Sequence, residues 1–319
     1  MEKNISEKLL GVQKNALLKD YTTYKIGGPA KYFFVAKTKE DLMLALKVAK
    51  DLKLPVFILG GGSNLLVSEK GFSGLVIKIN ITDIDFREKN VLVGSGFNLN
   101  KLNYLFAEKS FSGLEWAAGL PGTVGGAIYG NAQAFGTKIS DAIESVEAIN
   151  IKTSEIKSFN KKQCQFSLKD SIFKKNKNLI IVSVILKFKK GDPQEIKNKI
   201  TELVNYRKTR HPMDFPSAGS TFVNPETKIR NKKVLEKFPE LKEYNKIGTI
   251  PSGYLIAKSG LAGKKIGNAQ ISQKHANFVL NLGGAKAKDV LALIKLAKVR
   301  VRKNFGIELE PEVQFVGFK

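Results

Sequence analysis

The sequence predicts a mixed α+β fold built from α/β-like units. Three observations carry that prediction. Apolar residues switch between helical and strand spacing along the whole chain. The length, 319 residues, corresponds to about two or three domains. The composition, 43% hydrophobic and 26% charged, is that of a globular protein and excludes wholesale disorder.

The elements follow in order. Positions 23–36 read as a Gly-Pro turn feeding a strand. Lys39 to Leu52 carries apolar residues at helical spacing, and Pro55 then opens the short buried strand 56–59. Gly60-Gly61-Gly62-Ser63-Asn64 follows at once, then the apolar run Leu65-Leu66-Val67. Strands are expected at 75–79 and 91–94, a helix from Leu99 to Lys109, and strands at 143–151 and 179–187. Gly191-Asp192-Pro193 starts a helix running to about Lys208. The last third holds a strand at 276–282, a helix from Lys288 to Phe305, and a terminal strand at 312–318. No internal repeat or low-complexity segment interrupts this order.

Several function classes drop out. The longest apolar stretch lies near 179–186 and contains Ser183, whereas a membrane-spanning helix needs about 20 apolar residues. The first eight residues include two acids and no apolar core, so no secretory signal is visible. The single cysteine, Cys164, cannot form an internal disulfide and reads as a structural thiol in a reducing, cytoplasmic setting. The two histidines, His211 and His275, are far apart in sequence and form no cluster with metal-ligand spacing, so no metal is expected.

The net charge of +24 invites a nucleic-acid reading. It is set aside because all but six of the 53 basic residues are lysine, spread without a block or stripe. Base readers rely on the planar, bidentate fork of arginine. A lysine-coated surface, or a positive field for a small anionic ligand, fits better.

Two glycine clusters could carry chemistry. Gly60, Gly61 and Gly62 sit directly after a strand, where backbone N–H groups can converge on an anion. Gly119, Gly122, Gly125, Gly126 and Gly130 form a second cluster about 60 residues on. A helix after Thr123 would point its positive end at a phosphate. Three glycines after a strand are commonly no more than a turn, but two such clusters in adjacent units point to a diphosphate ligand. Neither cluster is a G-x-G-x-x-G fingerprint or a P-loop. Ser220, in Ala218-Gly219-Ser220-Thr221-Phe222, is either a turn serine or a proton donor poised by its neighbours. Glu308, Glu310 and Glu312 alternate, so an extended segment would project them to one face.

These pieces together resemble the UDP-N-acetylenolpyruvoylglucosamine reductase family, from about Tyr21 to Gly317. The pieces are residues 23–30 (TYKIGGPA), 59–67 (LGGGSNLLV), 119–127 (GLPGTVGGA), 170–173 (DSIF), 218–225 (AGSTFVNP), 272–278 (SQKHANF) and 309–313 (LEPEV). Seven pieces in one order are highly specific where each alone is modest.

The resemblance implies a two-part FAD-binding domain of the PCMH type, at 1–80 and 81–205. It also implies an α+β substrate-binding domain at 206–319, with the terminal strand packing back on the first part. It implies noncovalent FAD, NADPH as cosubstrate, and reduction of the enolpyruvyl group of UDP-N-acetylglucosamine enolpyruvate to UDP-N-acetylmuramate for the cell wall. FAD would contact Gly60, Gly61, Gly62, Ser63, Asn64, Leu65, Gly119, Pro121, Gly122, Thr123, Gly125 and Gly126. Ser220 would be the proton donor and Glu312 the carboxylate beside the developing enolate. The third catalytic position is usually arginine, and here Leu168-Lys169 stands there. Lys169 keeps the charge and loses the fork. Substrate contacts would fall on Arg210, Asn224, Lys258 and His275. Only one helix fits between Lys187 and Ser220, so the chain reads as the family's shorter form. The expected protein is a cytoplasmic monomer with small-molecule substrates and neither nucleic acid nor membrane as partner. The rivals are an oxidase of the same FAD-binding fold, a charge-driven anion or nucleic-acid binder, and an inactive family member.

Overall fold

The computed structural model describes residues 2–318 and divides into two compact units. The first takes the chain up to Ala16, Ala30–Gly62 and Phe72–Arg207. The second takes Leu17–Pro29, Ser63–Gly71 and the chain from Lys208 on.

The first unit is built on two sheets. One has the order Gln13–Leu17, Pro29–Ala36, Phe72–Ile79, Val56–Leu59. Its central strand, Phe72–Ile79, pairs in parallel with both neighbours. Parallel pairing needs a long return connection, and the helix Lys39–Asp51 supplies it. Thr38 caps that helix by accepting from Asp41 N, and Asp41 accepts from Thr38 N in return. Its buried face, Leu42, Ala45, Val48 and Ala49, packs with Phe34, Leu75 and Ile77 of the sheet.

The other sheet is antiparallel, in the order Ile156–Asn160, Ile143–Asn150, Leu179–Lys187, Asn90–Gly94, Ile84–Phe86. The continuous apolar run at 179–187 is its central strand, buried on both faces. Val146, Val184 and Val93 join Phe106, Trp116 and Ile128 in one core beneath it. Each such side chain taken fully out of water contributes about 1.5–3 kcal/mol.

The second unit gathers around the helix Ala287–Phe305. Val290, Leu293, Ile294, Ala297, Val301 and Phe305 form its buried stripe, at helical spacing. They pack with Leu255, Ile256, Ala269 and Ile271. The Glu69 carboxylate caps the helix by accepting from Ala287 N. A small antiparallel sheet orders Lys265–Ile266, Ala269–Ile271 and Val279–Asn281. The strand Gln314–Val316 pairs in parallel with Leu65–Val67.

Two expected strands are shorter than their apolar pattern. The segment read as 276–282 is a strand only over Val279–Asn281, because Phe278 N turns back to His275 O at 2.9 Å. The terminal strand spans Gln314–Val316 and ends before Gly317, which takes a φ of +74°. The glycine-rich stretch near 253–267 contains a helix, Ser252–Lys258.

Candidate functional site

In the first unit the two glycine clusters lie against each other. The strand Val56–Leu59 delivers Gly60–Gly62 at its end, and the helix Leu99–Glu108 precedes the segment that carries Gly119–Gly126. A Cβ on Gly61 would stand 2.5 Å from Gly122 Cα, and one on Gly60 would stand 2.8 Å from Thr123 Oγ1. Neither approach is open to a residue with a side chain. Among the described residues, the amides of Gly61, Gly62 and Gly122 meet no protein acceptor. Amides left without a protein acceptor on touching glycine turns are what an anionic ligand requires.

The helix after Thr123 is a different matter. It is only six residues long, Val124–Tyr129. Its first amides are already bonded: Val124 N to Phe97 O at 2.9 Å, Gly125 N to Ser95 O at 2.8 Å and Gly126 N to Thr123 Oγ1 at 3.3 Å. The expectation that this helix end holds a phosphate is therefore corrected. Gly125 and Gly126 serve packing and capping, since a Cβ on Gly125 would meet Ser95 Cβ at 2.7 Å.

Two cations beside these turns are invisible in the sequence pattern. Lys78 pairs with Leu59 across the sheet and donates from Nζ to Gly60 O at 3.3 Å. Burial lowers its ammonium below the ordinary lysine value. Arg207 is 5% exposed. It donates from Nε to Ala118 O at 2.9 Å and from Nη2 to Trp116 O at 3.0 Å, fixing the peptide just before Gly119. No composition or spacing signal separated Arg207 from the exposed Arg210 three residues on.

Lys169 sits in a tight turn. Ser167 and Asp170 exchange both backbone bonds, at 3.1 and 3.3 Å, and Lys169 takes a φ of +53°. Lys174 Nζ donates to Lys169 O at 2.7 Å. Asn131 Nδ2 donates to Ser167 O and Ser171 Oγ to Tyr129 O, both at 2.8 Å. The turn is thus tied to the chain that leaves the second glycine cluster.

In the second unit, Ser220, Asn224, His275 and Glu312 come into one neighbourhood. Ser220 bridges Phe278, and Phe222 bridges Pro311. Glu312 N donates to Thr221 O at 2.8 Å and Val223 N to Glu310 O at 3.0 Å. Asn224 Oδ1 accepts from Ser252 N at 2.9 Å. His211 and His275, 64 residues apart in sequence, pack edge to face with ring centroids 5.5 Å apart. Burial lowers the His275 imidazole below its ordinary value, and its Nδ1 accepts from Asn277 N at 3.3 Å.

Ser63, Asn64 and Leu65 also belong to this unit. Asn64 Nδ2 donates to Glu312 O at 3.0 Å, and Gln314 N to Asn64 O at 3.0 Å. The other glutamates of the alternating run separate: Glu308 faces Lys298 and Arg302 on the surface. Lys258 is exposed and paired with Glu240 at 2.9 Å. A cavity of this unit, about 670 Å³, is lined by Lys19, Lys25, Glu69, Phe215 and Gly283, and by neither Ser220 nor Glu312.

Comparison with known proteins agrees with this geometry. Residues 30–160 match the model of an FAD binding domain. Residues 211–316 match that of the UDP-N-acetylenolpyruvoylglucosamine reductase C-terminal domain. The chain is 37% identical over 311 residues to the reductase of that name from Lachnoclostridium phytofermentans, covering 96% of this chain and 93% of the relative. The chain belongs to the UDP-N-acetylenolpyruvoylglucosamine reductase family. The Alkaliphilus oremlandii reductase is also 37% identical, over 94% of this chain and 91% of its own. The crystal structure of the Thermus caldophilus reductase superimposes with a TM-score of 0.76 at 32% identity, covering 96% of this chain and 98% of that one. A reductase of this family is a flavoprotein, and the fold here is accordingly a PCMH-type FAD-binding domain joined to the reductase C-terminal domain. Among the described residues, no helix is long and apolar enough to cross a membrane, and no group of three metal-ligating side chains occurs.

Proposed function

We propose that this chain reduces UDP-N-acetylglucosamine enolpyruvate to UDP-N-acetylmuramate, with FAD held noncovalently on the paired glycine turns and NADPH as the hydride source. The fit of the cofactor rests on the Gly61–Gly122 contact, where a side chain would fill the space and where the amides of Gly61, Gly62 and Gly122 meet no protein acceptor among the described residues. FAD bound there would supply the hydride chemistry that links NADPH to the enolpyruvyl double bond.

The chain's own residues do the rest. Hydride arriving at one vinyl carbon leaves negative charge delocalised toward the substrate carboxylate. Lys169 supplies positive charge for that oxygen, as a point charge in place of a bidentate fork. Ser220 delivers a proton from its hydroxyl to the other carbon. Glu312 orients that exchange from the neighbouring segment. The observation that carries these roles is the 2.8 Å bond from Glu312 N to Thr221 O, which locks the two proposed catalytic segments together. Arg210, Asn224 and His275 are assigned to the nucleotide and sugar. Lys258 joins them by exchanging Glu240 for substrate phosphate.

The functional division we propose is 1–80 and 81–205 for FAD and 206–319 for substrate. The protein acts as a cytoplasmic monomer, each chain carrying the glycine turns, Ser220 and Glu312. An anaerobic stopped-flow experiment tests the roles. NADPH should bleach the flavin equally in wild type and Ser220→Ala, and the enolpyruvyl substrate should restore its colour about 10²-fold or more slowly in the variant. Equal rates of recovery would remove Ser220 from the chemistry.

A further inference from the structure

Asn277 makes an unusual set of bonds. Its side chain is 3% exposed. Oδ1 accepts from Phe222 N at 3.0 Å, and Nδ2 donates to Phe222 O at 2.8 Å. Its own carbonyl accepts from Thr221 N at 2.7 Å. A primary amide offers the same donor and acceptor as a peptide unit, so this side chain pairs with Phe222 as an adjacent strand would. The backbone on the far side of the segment is held too: Thr221 O accepts from Glu312 N at 2.8 Å, and Val223 N donates to Glu310 O at 3.0 Å. Residues 220–223 are therefore clamped between 277–278 and 310–313.

We propose that Asn277 is a positioning residue: its side-chain amide, standing in for a strand neighbour, sets the register between the segment of Ser220 and that of Glu312. The inference rests on the roles given above to Ser220 and Glu312. Asn277 touches neither substrate nor cofactor in this reading and acts through Phe222. Loss of the clamp lets the 220–223 segment slip against 310–313, and a serine displaced by about 1 Å loses its line to the carbon it protonates. The step that delivers hydride to the flavin does not use Ser220 and is untouched.

The test separates the two half-reactions of the FAD-loaded protein. Asn277→Ala and Asn277→Asp should be reduced by NADPH within twofold of wild type. Reoxidation by the enolpyruvyl substrate should slow at least tenfold, with a larger solvent deuterium isotope effect. The Asp variant adds a readout that packing alone does not move. As a carboxylate it opposes Phe222 O with a second acceptor; protonated, it regains one donor and one acceptor. Its reoxidation rate, taken as a ratio to wild type, should therefore recover as pH falls. If Asn277→Ala does not fold, the nearly isosteric Asp variant decides. Equal slowing of both half-reactions, no slowing in a folded variant, or a pH-independent ratio would each overturn the proposal while leaving the wild-type reductase reading intact. A wild type that is reduced by NADPH yet never reoxidised by the substrate would overturn that reading, and this inference with it.

Discussion

Gly61 lies so close to Gly122 that a Cβ on the first would stand 2.5 Å from the Cα of the second. Two turns about 60 residues apart in sequence thus make one surface, and among the described residues the amides of Gly61, Gly62 and Gly122 meet no protein acceptor. The contact is backbone against backbone, so nothing flexible can yield to a side chain.

Gly61→Ala should therefore weaken FAD binding at least tenfold in a fluorescence titration of apoprotein. Gly130→Ala is the matched control, since its added Cβ would meet only Gly126 O at 3.8 Å. That variant should bind FAD as wild type does. Equal affinity for both variants would show that the two turns are not the cradle.

Arg207 should be worth far more to stability than Arg210. Arg207→Met strips partners from two carbonyls, Trp116 O and Ala118 O, at a cost of about 2 kcal/mol. Arg210 is exposed, and Arg210→Ala should change stability by about 0.5 kcal/mol or less. Urea unfolding of the two variants measures the difference.

Lys169→Arg should speed reoxidation by substrate or leave it unchanged, because the fork adds a second hydrogen bond to the same charge. Lys169→Ala should slow it more than tenfold without altering reduction by NADPH. A turn with φ of +53° at this position accepts either lysine or arginine with similar backbone cost.

The pH dependence of stability should carry the signature of His275. Burial lowers its folded value, so the folded state favours the neutral ring. Its contribution is fully present above the ordinary histidine value of about 6.5 and is lost as pH falls from there through the lowered folded value. Urea midpoints should fall over that range more steeply in wild type than in His275→Gln.

Cys164 should be inert in the native state. Its side chain is fully buried, and burial pushes the thiol up to about 11. A thiol reagent at neutral pH should label it only at the rate of unfolding. Rapid labelling of the native protein would contradict the packing described for this core.

Much of the fold is legible in the sequence. The helix Lys39–Asp51, the strand Leu179–Lys187 and the helix Ala287–Phe305 follow from apolar spacing, because each buries one continuous face. The glycine runs marked where two turns touch, because backbone approach as close as that of Gly61 to Gly122 leaves glycine as the only solution. Three features were not legible. Lys78 and Arg207 matter through burial and through the particular carbonyls they meet, which no local pattern records. Asn277 stood in the piece 272–278 with no role of its own, and its role depends on a partner 55 residues away. The spent amides of Val124–Tyr129 depend on Phe97 and Ser95, so a helix end that promised a phosphate site was already satisfied.

The touching glycine turns are proposed to hold a noncovalent flavin. The visible absorption spectrum of the purified protein, before and after incubation with FAD, tests it most directly. A protein-bound flavin spectrum is expected, with FAD released whole on denaturation. A protein that stays colourless after incubation with FAD would contradict it.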